Sequence, residues 1–193
     1  MPKSFLIVLP LITLLYGCEL FTARNPETPI EPRSNFQPAL SSEIVLKNLV
    51  NSLNEKNTQN YLACLTGSSF VKLNYVFSPS AEAISKFPIF SEDWTLLNEE
   101  QYLNNIIAKI PEDIPITLSL QDTSRTIQGD SVFYSAKYSL NVPHNDVNIP
   151  NNFQGELKFK LIRDSQNIWS IFFWQDIKTS ANPSWSELKG VFY

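Results

Sequence analysis

The sequence predicts an α+β domain, with helices gathered toward its N-terminal part and an antiparallel sheet after them. Apolar residues recur at helical spacing between residues 43 and 110, then alternate with period two between 116 and 177. The composition agrees with a packed core: 43% of the 193 residues are hydrophobic and only 18% are charged.

Taken in order, Ser41 and Ser42 can cap a first helix, with Glu43 favourable to its dipole and Leu46, Leu49, Val50 and Leu53 on one face. Thr58 can cap a second, carrying Tyr61, Leu62 and Leu65 and ending at Gly67. Phe70 to Phe77 alternates and reads as a strand, and Pro79 to Lys86 as a helical turn. A longer helix is expected from Asn98, with Gln101 in a capping-box position, an apolar stripe of Tyr102, Leu103, Ile106, Ile107 and Ile110, and a stop at Pro111. Strands follow through Ile116–Leu120, Val132–Val142 and Phe153–Leu161, punctuated by the turn Gln128-Gly129-Asp130 and a polar loop over 143–152. The last run, Ile168–Ile177, is apolar on both faces (Trp169, Ile171 and Phe173 on one, Ile168, Phe172 and Trp174 on the other) and is expected at the sheet centre. In the tail, Ser184 and Glu187 stand in capping-box relation, with Gly190 as the expected helix stop.

Several function classes are disfavoured at once. The net charge of −4 without a basic cluster speaks against nucleic-acid binding. A single His removes mechanisms and metal sites that need two, and no phosphate loop, nucleophile elbow, zinc-protease or Cys-x-x-Cys motif occurs. His144 reads as an exposed loop residue, and its Asn/Asp neighbours as turn chemistry rather than calcium ligands. Cys64 reads as a buried structural thiol. Glu92-Asp93, Glu99-Glu100 and Glu112-Asp113 sit at loops or helix starts, where solvation and dipole suffice to explain them. Trp94, Trp169, Trp174 and Trp185 could line a pocket, but core packing explains them better; Trp94 and Trp185, outside the strands, are the rim candidates. No cofactor and no metal are expected.

The first residues are an address. Lys3 precedes an apolar run, Phe5–Tyr16, too short to span a bilayer. Leu15-Tyr16-Gly17-Cys18 resembles the lipobox of bacterial lipoproteins, which implies cleavage after Gly17 and acylation of Cys18. The expected organisation is a signal peptide (1–17), a lipid anchor with a Pro-rich tether (18–37) and one domain with a short C-terminal tail (38–193). Glu19 is not the Asp of inner-membrane retention, so an outer-membrane anchor in the cell envelope is expected, with the facing side left open.

From Pro38 to Thr179 the element order resembles the nuclear transport factor 2-like, or ketosteroid-isomerase-like, cone, in which a strongly bent antiparallel sheet wraps N-terminal helices. Trp169–Asp176 followed by Pro183–Gly190 is similar to the ending of bacterial lipoproteins that carry such a domain. The resemblance implies a pocket at the open end of the cone, and a carboxylate with a Tyr inside it where such proteins are enzymes. The candidate pocket residues are Tyr61, Tyr75, Asp93, Trp94, Tyr134, Trp174 and Asp176, none in a catalytic motif. The leading expectation is a non-catalytic domain binding a small apolar ligand or an envelope protein, with a lipid or lipoprotein carrier and an isomerase or dehydratase using Asp176 as alternatives. A homodimer is an expectation of the resemblance alone.

Overall fold

The computed structural model describes residues 34–66 and 73–193. Ser34–Tyr193 form one compact unit. The lipobox with Gly17 and Cys18, Gly67 and the first part of the strand expected from Phe70 lie outside the described residues. Among them the chain runs α1 (Ser42–Asn54), α2 (Thr58–Ala63), β1 (Val76–Ser78), α3 (Ala81–Lys86), a 3-10 turn (Pro88–Ser91), α4 (Leu96–Ile107), β2 (Thr117–Gln128), β3 (Ser131–Asn141), β4 (Asn152–Arg163), β5 (Trp169–Ile177) and α5 (Trp185–Phe192).

Helix starts follow short polar side chains. Ser41 Oγ accepts from Ile44 N–H, Asn57 Oδ1 from Asn60 N–H, and Ser80 Oγ from Ala83 N–H, each satisfying a donor that the first turn leaves free. The chain just before α1 is bonded to that helix: Glu55 accepts from Ser34 Oγ and Asn35 N–H at 2.7 Å, and Asn48 pairs with the backbone of Gln37 at 3.0 and 2.6 Å.

The five strands are ordered β1-β5-β4-β3-β2. The long four are antiparallel neighbours, as their alternation requires, whereas β1 runs parallel to β5, so the sheet is not purely antiparallel. That parallel pairing needs a long connection, and the whole of α3 to β4 supplies it. Nor is β5 central: β4 and β3 lie between it and β2. Nor is it buried on both faces: Ile171, Trp174 and Asp176 are buried and its other residues half-buried, while its outer edge is covered in pieces. Trp169 N–H donates to Ala39 O, Ile171 N–H to Cys64 O, and Thr66 N–H to Ile171 O, before β1 takes over from Val76.

The concave face carries Val132, Tyr134, Ala136, Tyr138 and Leu140 from β3 against Leu161, Phe159, Leu157, Gly155 and Phe153 from β4, all in register and, where side chains exist, buried. On β5 the simple alternation fails. Leu161 faces Ile171 but Lys160 faces Phe173, so Phe172 is an extra residue in the ladder. This bulge turns Ile171, Trp174 and Asp176 to the same interior, although Ile171 and Trp174 fall on opposite faces of an unbroken strand.

Candidate functional site

α4 begins two residues earlier than its apolar stripe suggests, because Thr95 is its N-cap and Asn98 Oδ1 accepts from Thr95 N–H at 2.8 Å. Glu99, in the first turn of α4, shares a face with Tyr102, Leu103 and Ile106, at helical spacing, and is wholly buried. α5 does the same with a cation. Trp185, Leu188, Lys189 and Phe192 form its buried face, and Lys189 has 0% exposure. The two charges meet: Lys189 Nζ donates to Glu99 Oε1 in the centre of the domain.

Around them the expected pocket residues converge in part. Tyr75 O–H donates to Glu99 Oε1 at 2.6 Å and Tyr61 O–H to Glu99 Oε2 at 2.8 Å. Since Tyr61 spends its proton on the carboxylate, its oxygen accepts from Tyr102 O–H at 3.1 Å, and Tyr102 in turn accepts from Trp185 Nε1–H at 3.2 Å. The result is a relay of donors from Trp185 to Glu99. The ammonium of Lys189 also rests against rings: its Nζ lies 3.7 Å from the centroid of Phe77, 3.9 Å from Trp174, 5.2 Å from Tyr102 and 5.5 Å from Trp94. Burial lowers the Lys189 pKa to about 8, with the Glu99 carboxylate opposing that shift. Burial first, and then the Glu99 charge, pushes the phenols of Tyr61, Tyr75 and Tyr102 well above their usual range.

Asp176 belongs to a second group, at the N-terminus of α5. Its Oδ1 accepts from Tyr138 O–H at 2.7 Å, and its Oδ2 from Ser186 N–H at 2.7 Å and from Ser186 Oγ–H. Tyr138 oxygen also accepts from Trp185 N–H at 2.7 Å. This carboxylate is 2% exposed and neutralises the positive end of the helix. Gly155 makes it possible, since a Cβ there would lie 2.7 Å from the Tyr138 hydroxyl and 2.6 Å from Ile177 O. On its outer side α5 is held by Glu187, which meets Lys86 at 2.7 Å and Lys178 at 3.0 Å and caps Ser184 N–H at 2.8 Å.

Three expectations need correction. Trp185 is no rim residue: it is fully buried, edge-on to Trp174 with ring centroids 4.6 Å apart. Gly190 does not stop α5, which runs on to Phe192; it lets the Phe87 ring approach, where a Cβ would come within 2.4 Å. His144 is not exposed but 5% accessible, packed on Phe192 at 5.4 Å, with Nδ1 accepting from Asp146 N–H. The Asx reading of its loop agrees with Asp146 Oδ1 accepting from Asn148 N–H.

Open space lies beside this interior in more than one place: Asp176 borders a cleft of about 790 Å³ with Ser80, Glu82 and Lys178, and Tyr134 one of about 290 Å³ with Phe133 and Phe159. A cavity of about 450 Å³ is bounded by Thr66, Asn74–Phe77 and Asp93–Leu97. It brings together Tyr75, Asp93 and Trp94 of the expected residues, with Asp93 exposed at its mouth. Tyr61 and Trp174 lie inward of it, and Tyr134 stands apart, stacked on Phe159. Glu99 and Lys189 are the functional-looking pair that sequence reasoning passed over. Their signal was a charged residue on an i, i+3, i+4, i+7 apolar face, first in the series 99, 102, 103, 106 and third in 185, 188, 189, 192.

No family model matches the chain, and no curated protein does. Solved structures do. A candidate scytalone dehydratase from Novosphingobium aromaticivorans aligns with TM-score 0.55 at 9% identity, over 73% of this chain and 89% of its own. A candidate dehydratase of the nuclear transport factor 2-like family from Streptomyces avermitilis aligns with TM-score 0.54 at 7% identity, over 72% and 94%. A nuclear transport factor 2-like protein from Cytophaga hutchinsonii aligns with TM-score 0.51 at 11% identity, over 70% and 93%. At such identities the likeness is one of backbone alone, and with the α+β order and curled five-stranded sheet it shows that Ser34–Tyr193 take the cone-shaped fold of these nuclear transport factor 2-like structures.

Proposed function

We propose that the chain is a lipid-anchored bacterial envelope protein, held through Cys18, whose cone domain binds a small, largely apolar ligand in the lateral cavity without catalysis. The observation that carries the non-catalytic reading is the filling of the cone by the chain's own α5. A cone enzyme needs an acid or base that a substrate can reach. Here the oxygens of Asp176 are taken by Ser186 and Tyr138, and those of Glu99 by Lys189, Tyr61 and Tyr75, while the carboxylate that the lateral cavity does offer, Asp93, stands in water at its mouth rather than enclosed. A lipid carrier needs a large apolar hollow, which Trp185, Leu188 and Phe192 occupy. The lateral cavity, by contrast, has the volume of a ligand site and is walled by Tyr75, Val76, Phe77, Trp94, Leu96 and Leu97.

The anchor is supported by the lipobox resemblance alone, and it is tested directly. Intact mass of the chain from a lipoprotein-processing host should show a Cys18 N-terminus carrying acyl chains, and Cys18→Ser should move the protein to the soluble fraction. An unmodified, uncleaved wild-type chain would remove the anchor. For binding, native mass spectrometry of the whole chain purified gently from its host should reveal a retained small molecule, lost in Trp94→Ala. A ligand turned over into product by the purified protein would defeat the non-catalytic reading.

A further inference from the structure

The contacts of Lys189 describe a complete recognition site for an ammonium group. Four aromatic rings face the Nζ, two of them within 4 Å of their centroids, so the cation is held by ring quadrupoles on several sides. The Glu99 carboxylate supplies the counter-charge, and Tyr61 and Tyr75 donate to that carboxylate, holding it in place. Of these groups only Lys189 itself comes from α5. The rest are carried by α2, α4, β5, β1 and the segments flanking β1 and α4. Tyr75, Phe77 and Trp94 are walls of the lateral cavity as well, so one layer of side chains separates the cage from that cavity.

The geometry points to the interior of the cone as an alkylammonium-binding site that the chain fills in cis with Lys189. Its ligand class is a primary alkylammonium, whose N–H can donate to Glu99 as Nζ does, and a neutral molecule of the same shape is a poor substitute. The site discriminates by charge: an ammonium gains the ring faces and Glu99 together, whereas an alcohol leaves Glu99 buried and uncompensated. This assignment rests on the cage and not on whatever occupies the lateral cavity.

Lys189→Ala removes Cγ, Cδ, Cε and Nζ, the heavy atoms of n-propylammonium. The test is therefore thermal unfolding of the full-length Lys189→Ala chain titrated with n-propylammonium chloride, beside n-propanol at equal concentration with matched sodium chloride. The variant should lose thermal stability and regain it saturably with the amine, at an apparent affinity about tenfold or more above the alcohol's. The wild type, its cage full, should not respond, and Lys189→Ala/Glu99→Gln should lose the preference for amine. Should Lys189→Ala fail to fold alone, recovery of native circular dichroism on refolding in n-propylammonium but not in n-propanol gives the same reading. Equal responses to amine and alcohol, equal responses of variant and wild type, or no response and no refolding in either, would overturn the assignment.

Discussion

Glu99 and Lys189 are each buried to 0% exposure, so neither can be judged as a surface ion pair. Removing one partner leaves the other charged in a dry interior, and such losses run to about 3–5 kcal/mol. Lys189→Met and Glu99→Gln should therefore each be strongly destabilising in urea unfolding. The double variant should cost less than the sum, because the Gln carbonyl still accepts from a tyrosine while neither charge remains. Strict additivity would show that the pair is not coupled. The same lysine sets a pH dependence. Its pKa falls from 10.5 in the unfolded chain to about 8 in the folded one, with burial as the main cause. Between those values the unfolded chain holds more protons, so this group makes stability rise with pH across that window. Cys64 and the buried tyrosines, whose pKa values are raised, act oppositely. They are common to wild type and Lys189→Met, so the stability difference between the two should shift in favour of wild type from pH 8 to 10. A flat difference would contradict a buried, proton-binding Lys189.

At the scale of elements, α5 is the part that makes this cone unlike an open one. Its N-terminus is fastened by Asp176, Tyr138 and the Ser184–Glu187 box, and its middle by Lys189. Asp176→Asn places an amide group where the native carboxylate only accepts, facing the donors of Ser186 and Tyr138. A mismatch of this kind costs about 1–3 kcal/mol. Because the damage lies between β5 and α5, hydrogen exchange of the Leu188–Phe192 amides should speed up well before that of β3 and β4. Uniform acceleration across the sheet would show that α5 opens only with global unfolding. Glu99 shows how position on a helix face outweighs position along the helix: it lies in the first turn of α4, where solvation is the ordinary explanation, yet its spacing to Tyr102, Leu103 and Ile106 puts it on the buried stripe.

At the scale of the whole domain, the packing follows from one fact: the aromatic inner face of the sheet carries one buried carboxylate, Asp176, α4 brings a second, Glu99, and α5 partners both. A chain ending before Ser184 should keep its strands but expose Phe77, Tyr102 and Trp174 and leave Glu99 without its cation. The expected outcome is near-native far-ultraviolet circular dichroism, strong binding of an apolar dye and a broadened unfolding transition. A truncated chain that unfolds as sharply as the full one, with no dye binding, would show α5 to be an accessory.

Much of this protein is determined by its residue pattern alone. The strict alternation of Val132 to Val142 and Phe153 to Leu161 sets two antiparallel strands, since only a period of two places every apolar side chain on one face, and Ser41 and Ser184 mark helix starts through hydrogen bonds made within three residues. Such features are local, so they are legible in order along the chain. Tertiary structure alone decided the rest. The bulge at Phe172 turns Ile171 and Trp174 to one side, β1 joins β5 from almost a hundred residues away, and Lys189 meets a carboxylate ninety positions earlier. A one-residue slip or a long-range charge pair has no local signature: its energy comes from removing both partners from water together, which happens only when the sheet has closed around α5.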